Sequence, residues 1–169
     1  MDKNEQKQIF ESWLNQYKAL VFKVVRAYAI SSMDQNDLFQ EIMIQLWHSI
    51  PAFRQKSSVS TWIYRIALNT AIKWVRKEQK HHQAEMIENV EFVLMESVIK
   101  VDERLTWLYE EIQRLDEIDR SLVLLLLDGF SYKEMAGILG ITESNVGVKI
   151  NRIKKQLINN AKQYEYDGV

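Results

Sequence analysis

Arg65, Asn69, Lys73, Arg76 and Lys80 recur at steps of 4, 4, 3 and 4 through a segment without proline or glycine. On a helix this spacing lines four cations and an amide along a stripe about 80° wide. Trp62 falls on the same side, and Phe53 lies just before a polar loop from Arg54 to Ser58. Cations match backbone phosphates and a ring offers a surface for an unstacked base, so the set suits single-stranded DNA. Opening a base-pair step costs about 1.4 kcal/mol in stacking, and base–aromatic stacking returns roughly 1–3 kcal/mol per base. Cations without rings would hold duplex as readily as an open strand. On spacing alone, an ordinary solvated face with Trp62 in the core stays open as the alternative.

A second constellation lies near the C-terminus. Ser131 and Glu134 form a capping box ahead of Ala136, a small residue where two helices would cross, and Gly140 marks a turn. Thr142 then caps a helix whose narrow apolar stripe is Val146, Ile150, Ile153 and Leu157. Opposite it lie Ser144, Val148, Asn151, Arg152 and Lys155, flanked by Lys149 and Lys154. The pattern predicts a helix-turn-helix, whose second helix enters the major groove and reads base edges with its N-terminal half. A plain helical hairpin is the competing explanation.

No catalytic set accompanies these motifs. The 169 residues contain no Cys, which removes disulfides, thiolate metal sites and cysteine nucleophiles. There is no glycine-rich phosphate loop and no nucleophile triad, and His48, His81 and His82 have no Cys or carboxylate partners at ligand spacing. Neither an enzyme nor a metal or cofactor site is expected. Residues 54–80 hold seven cations against one carboxylate, a balance of +6, and 142–163 hold five against one, or +4. Between them, 84–119 carries eleven carboxylates against three cations, or −8, so the net charge of −1 conceals two phosphate-facing surfaces. For the acidic segment two readings stay open: a salt-sensitive shield over one or both basic faces, or a solvated linker plus an acidic helix face.

The elements that must position these residues are helical. One Pro and five Gly leave little material for a turn-rich β fold, and 47% hydrophobic content suffices for packed cores. The expectation is an all-α chain. Apolar positions from Phe10 to Tyr28 predict a first helix over Ile9–Ile30. A second, capped by Asp34 or Asn36, runs to about Ser49 before Pro51. The third spans 59–80, roughly 33 Å, with Val59, Ile63, Ile66, Ala67, Thr70, Ala71 and Trp74 as its apolar face. Residues 81–104 read as a linker with helical tendency, and 105–163 as about four helices broken near Glu117, Gly129 and Gly140. The polar start, Met1–Gln8, lacks a signal-peptide core, and Leu122–Leu127 is too short to span a bilayer. A cytoplasmic protein without membrane insertion is expected.

Taken together, Asp37-Leu-Phe-Gln-Glu41, Phe53-Arg54, Thr61-Trp-Ile-Tyr-Arg-Ile-Ala-Leu-Asn69 and Ser131-Tyr-Lys-Glu-Met-Ala-Gly-Ile-Leu-Gly140 closely resemble bacterial sigma factors of the extracytoplasmic-function (ECF) type. The resemblance implies that 1–80 is sigma region 2, a three-to-four-helix bundle, that 81–104 is a linker, and that 105–169 is region 4. Asp37, Gln40, Glu41 and Gln45 match the helix that meets the β′ coiled coil of core RNA polymerase, whose β′ and β subunits are the expected partners. Ser49, Phe53 and Asn69 match residues around a flipped −10 base, with Arg54, Trp62 and Arg65 beside them and Lys73 and Arg76 on phosphates. Flipping costs a few kcal/mol, so such a pocket favours the base that best repays it. Thr142, Ser144, Asn145, Val148, Lys149, Asn151, Arg152 and Lys155 match the −35 reading helix.

Four positions depart from the family pattern. Gln55 stands where Gly is common, Val59 where an aromatic is common, and Gly147-Val148 where a basic and a small polar residue usually follow. Relatives are often held by an anti-sigma factor, though no residue identifies one here. The function implied is promoter recognition, −10 melting and initiation with core polymerase. A helix-turn-helix regulator that binds duplex without melting it, and a protein-interaction module working through the acidic segment, are the rivals.

Overall fold

The computed structural model describes residues 2–82 and 102–167, with side chains over 2–78 and 102–164. All regular structure among the described residues is helical: α1 (Lys3–Tyr28), α2 (Ser32–Ser49), a 3₁₀ turn (Ile50–Ala52), α3 (Val59–His82), α4 (Glu103–Arg114), α5 (Glu117–Leu127), α6 (Tyr132–Leu139) and α7 (Glu143–Asp167). The chain divides into two compact units, Met1–Leu105 and Thr106–Val169. Most of the expected 81–104 linker, residues 83–101, lies outside the described residues.

In the first unit α1 begins six residues before the predicted start. Its polar first turns are held by α2: the Gln6 side-chain amide donates to the Trp47 carbonyl at 2.8 Å, and Phe10 meets Trp47 edge-on with ring centroids 5.5 Å apart. The cap of α2 also differs from expectation. Ser31, not Asp34 or Asn36, accepts the Asp34 N–H, at 3.1 Å, which leaves Asp34 in the first turn where a carboxylate suits the helix dipole. Gln35 fixes the α1–α2 turn by donating to the Ala29 carbonyl at 3.1 Å.

Packing against both α1 and α2 gives α3 a broader buried arc than the predicted face. Tyr64, Leu68, Ile72 and Val75 are buried alongside Ile63, Ala67 and Ala71, whereas Val59, Ile66 and Trp74 of the predicted face are only half-buried. Val24 from α1 and Leu38 and Ile42 from α2 fill the space between, fully buried, and each such side chain stabilises the unit by roughly 1.5–3 kcal/mol. The row Arg65, Asn69, Lys73 and Arg76 stays exposed on α3, as does Lys77. The side chain of Lys80, its last predicted member, lies outside the described ones.

The second unit is built from α4 to α7. Asp116 caps α5 by accepting the Asp119 N–H at 2.8 Å, and Leu122, Val123, Leu124 and Leu125 are buried. Gly129 turns the chain at φ +79°, and Gly140 ends α6 at φ +69°, both conformations that L side chains resist. Between them the capping box forms in full: Ser131 Oγ accepts the Glu134 N–H at 3.3 Å, and Glu134 accepts the Ser131 N–H at 2.8 Å. The Ser131 N–H, and after it the Ser131 hydroxyl, which donates to the same carboxylate oxygen at 2.7 Å, hold the Glu134 carboxyl below its ordinary range. Helices α5 and α6 both pack on α7, which buries Val146, Ile150 and Ile153.

Candidate nucleic-acid interface

In the first unit the predicted aromatic pair meets on one side of α3. Phe53 and Trp62 have ring centroids 5.5 Å apart, and Trp13 buttresses Phe53 edge-on from α1 at 5.3 Å. Both Phe53 and Trp62 remain partly exposed. Ser49, predicted to face a base, is instead buried: its hydroxyl donates to the Leu46 carbonyl at 2.8 Å and accepts the Trp62 indole N–H at 3.1 Å. Arg54 donates to the Pro51 carbonyl at 3.1 Å while staying exposed. Beyond it Gln55 sits at φ +56°, the left-handed region that costs a non-glycine residue about 1–2 kcal/mol.

A cleft of about 340 Å³ separates α2 from α3. Glu41 and Gln45 line one wall, tied by a 2.9 Å hydrogen bond from the Gln45 amide. Asn69, Lys73, Trp74 and Lys77 line the other. Two sets of residues predicted for different partners therefore share one surface. Asp37 and Gln40 continue the α2 row, both exposed, so four of its polar groups face away from the core formed by Leu38, Ile42 and Leu46. Trp74, which periodicity assigns to the apolar face, is only half-buried and reaches the cleft opening with Lys77; neither carries a local signal of that role.

In the second unit Ser144, Asn145, Val148, Asn151, Arg152 and Lys155 are all exposed along α7, and Thr142 accepts the Asn145 N–H at 3.2 Å as its cap. Lys149 is placed differently. Its ammonium donates to Asp119 Oδ1 at 2.8 Å, and Arg152 donates to Asp119 Oδ2. Asp119 is 3% exposed, so a carboxylate counted with the acidic segment is in fact an interior group of the second unit. Glu111, also buried, accepts from Asn160 at 2.6 Å and from Arg114. A built Cβ on Gly147 would lie 3.6 Å from the Tyr132 ring, an ordinary contact, so the fold itself does not demand glycine there.

The same two regions match known families. Residues 13–81 match the family described as Sigma-70 region 2, and residues 105–157 match Sigma-70, region 4. The chain belongs to the ECF branch of the sigma-70 family. It is similar to the ECF RNA polymerase sigma-E factor of Escherichia coli strain K12, with 28% identity over a 173-residue alignment covering 94% of this chain and 89% of that one. It is also 28% identical over 130 residues to RNA polymerase sigma factor YlaC of Bacillus subtilis, covering 73% of this chain and 75% of that one. Among solved structures, the sigma factor RpoE of Bartonella quintana, in complex with the anti-sigma factor NepR, shares the fold with a TM-score of 0.73 and 20% identity over 92% of this chain and 98% of that one. CnrH in complex with the cytosolic domain of CnrY gives 0.67 and 18%, over 93% and 90%.

As an ECF sigma factor the chain is a non-enzymatic initiation factor, its DNA-binding helix-turn-helix lying in region 4. No described helix is long and apolar enough to cross a membrane. In this sigma factor Asp119 had no local signature: its partners lie 30 and 33 residues away on a helix that only tertiary packing brings near.

Proposed function

We propose that this sigma factor docks on core polymerase through Asp37, Gln40, Glu41 and Gln45, traps the opened −10 strand on α3, and sets α7 in the −35 major groove. Residues 1–80 act as region 2, 81–104 as the linker and 105–169 as region 4, in the cytoplasm. The observation that carries this reading is the exposed row Arg65, Asn69, Lys73 and Arg76 beside the partly exposed Phe53–Trp62 pair. Phosphates follow the row while an extruded base stacks on a ring, and neither group performs both tasks. Ser49 acts through Trp62, whose indole it holds, and Phe53, Asn69 and Arg54 meet the base and its neighbours.

On α7 the exposed Ser144, Asn145, Val148, Asn151 and Lys155 face the groove, with Thr142 at the helix start and Lys149 and Arg152 beside Asp119. By likeness to relatives solved with anti-sigma factors, such a factor is a candidate partner. Run-off transcription by core polymerase over a promoter library tests the whole reading. Transcripts that start at discrete promoters only when this chain is added support it; duplex binding with no transcript and no melting would replace it with a simple helix-turn-helix regulator.

A further inference from the structure

Val148 is 68% exposed on α7, six residues into the helix and on the face that carries Ser144, Asn151 and Lys155. These three and Val148 stand at i, i+4, i+7 and i+11, one straight row. Around them is an open concavity of about 620 Å³, to which Gly147 contributes space by having no side chain. A β-branched apolar residue is a mediocre choice for an exposed helix position, since it neither favours the helix nor meets water well. Lys149 and Arg152 lie off the row and both donate to the buried Asp119, so within the row itself the only cation is Lys155 at its far end. Lys155 and Arg152 still place positive charge at the rim, complementary to flanking phosphates.

In the major groove the only methyl group on an unmodified base edge is the thymine 5-methyl, and apolar side chains contact it there. We propose that Val148 is the specificity-determining residue for a thymine at one position of the −35 element, recognised through its 5-methyl group. The inference rests on the docking of α7 proposed above. Asn151, one turn further along, offers the amide geometry that suits adenine in an adjoining pair.

The test uses the complete sigma factor assembled with core polymerase. Selection of a promoter with a randomised −35 region is expected to return T at one position, and the Val148→Ser variant is expected to lose that preference while still selecting its neighbours. Replacing that thymine by deoxyuridine, which lacks only the methyl, should weaken holoenzyme binding about fourfold for the natural chain and leave Val148→Ser unmoved. A 5-methylcytosine at the same position should recover part of the affinity lost with cytosine. If no position prefers T, or if deoxyuridine binds as well as thymidine throughout while Asn151→Ala and Lys155→Ala weaken binding, α7 docks but Val148 reads no methyl and the inference is overturned. If Asn151→Ala and Lys155→Ala also change nothing, the docking of α7 fails first and the inference falls with it.

Discussion

Gln55 carries a backbone conformation suited to glycine, and its strain is the most local feature of the loop before α3. At φ +56° its side chain crowds the following carbonyl, a cost that Gly escapes at the price of a looser unfolded chain. Gln55→Gly should therefore raise the stability of the first unit by about 0.5–1 kcal/mol, read as a shift of its urea midpoint with unchanged slope. The sequence exposes this position only against a family pattern; the residue type alone gives no hint of positive φ. Glu134 offers a second residue-scale test. Its carboxyl is held below the ordinary value of 4.5 by the Ser131 backbone and side chain, so the ionised form favours the folded state. The capping box adds stability above the ordinary value and loses it as pH falls through the lowered one. Acid titration followed by helical circular dichroism should show Glu134→Ala less stable than the natural chain near neutrality, with the two converging at low pH.

At the scale of elements, the proposed docking makes α3 and α7 different kinds of DNA-facing rod. Along α3 the cations are exposed and placed to meet phosphate, so Lys73→Ala should weaken holoenzyme binding to many promoters alike and reduce the slope of log affinity against log salt by about 1. A change confined to one promoter sequence would assign Lys73 to a base instead. Along α7, Lys149 and Arg152 brace α7 against α5 through Asp119. Asp119→Ala should cost the second unit about 2–3 kcal/mol, the worth of hydrogen bonds to a charged group, measured by denaturant unfolding. Helices were legible because apolar periodicity and caps are local: Ser131, Glu134 and Gly140 bound α6, and Thr142 caps α7, as their spacing announced. What escaped is tertiary. The early start of α1 depends on Gln6 reaching Trp47, forty-one residues on. The buried Tyr64, Leu68, Ile72 and Val75 reflect two neighbours where periodicity suggested one. Ser49 resembled a base-facing hydroxyl by family position, yet burial turns it toward Trp62.

Over the whole molecule, charge is segregated more finely than the net value of −1 conveys. The acidic stretch 84–119 is not uniformly a surface: among its described residues Glu111 and Asp119 lie inside the second unit, spent on Arg114, Asn160, Lys149 and Arg152. Residues 84–101, on which a shield over the basic faces would chiefly depend, lie outside the described residues. On the proposed reading, core polymerase supplies the common platform and each unit contributes local contacts to its own promoter element. The central claim, that α3 holds a melted strand, is tested most directly by permanganate reactivity of −10 thymines in a duplex promoter bound by core polymerase and this chain. The expected result is reactive thymines with the natural chain and at least about a fivefold loss with Trp62→Ala, the worth of one lost base stack, rescued on a template already open at −10. Full occupancy of the duplex promoter with no reactive thymine, or unchanged reactivity in the Trp62→Ala variant, would contradict it.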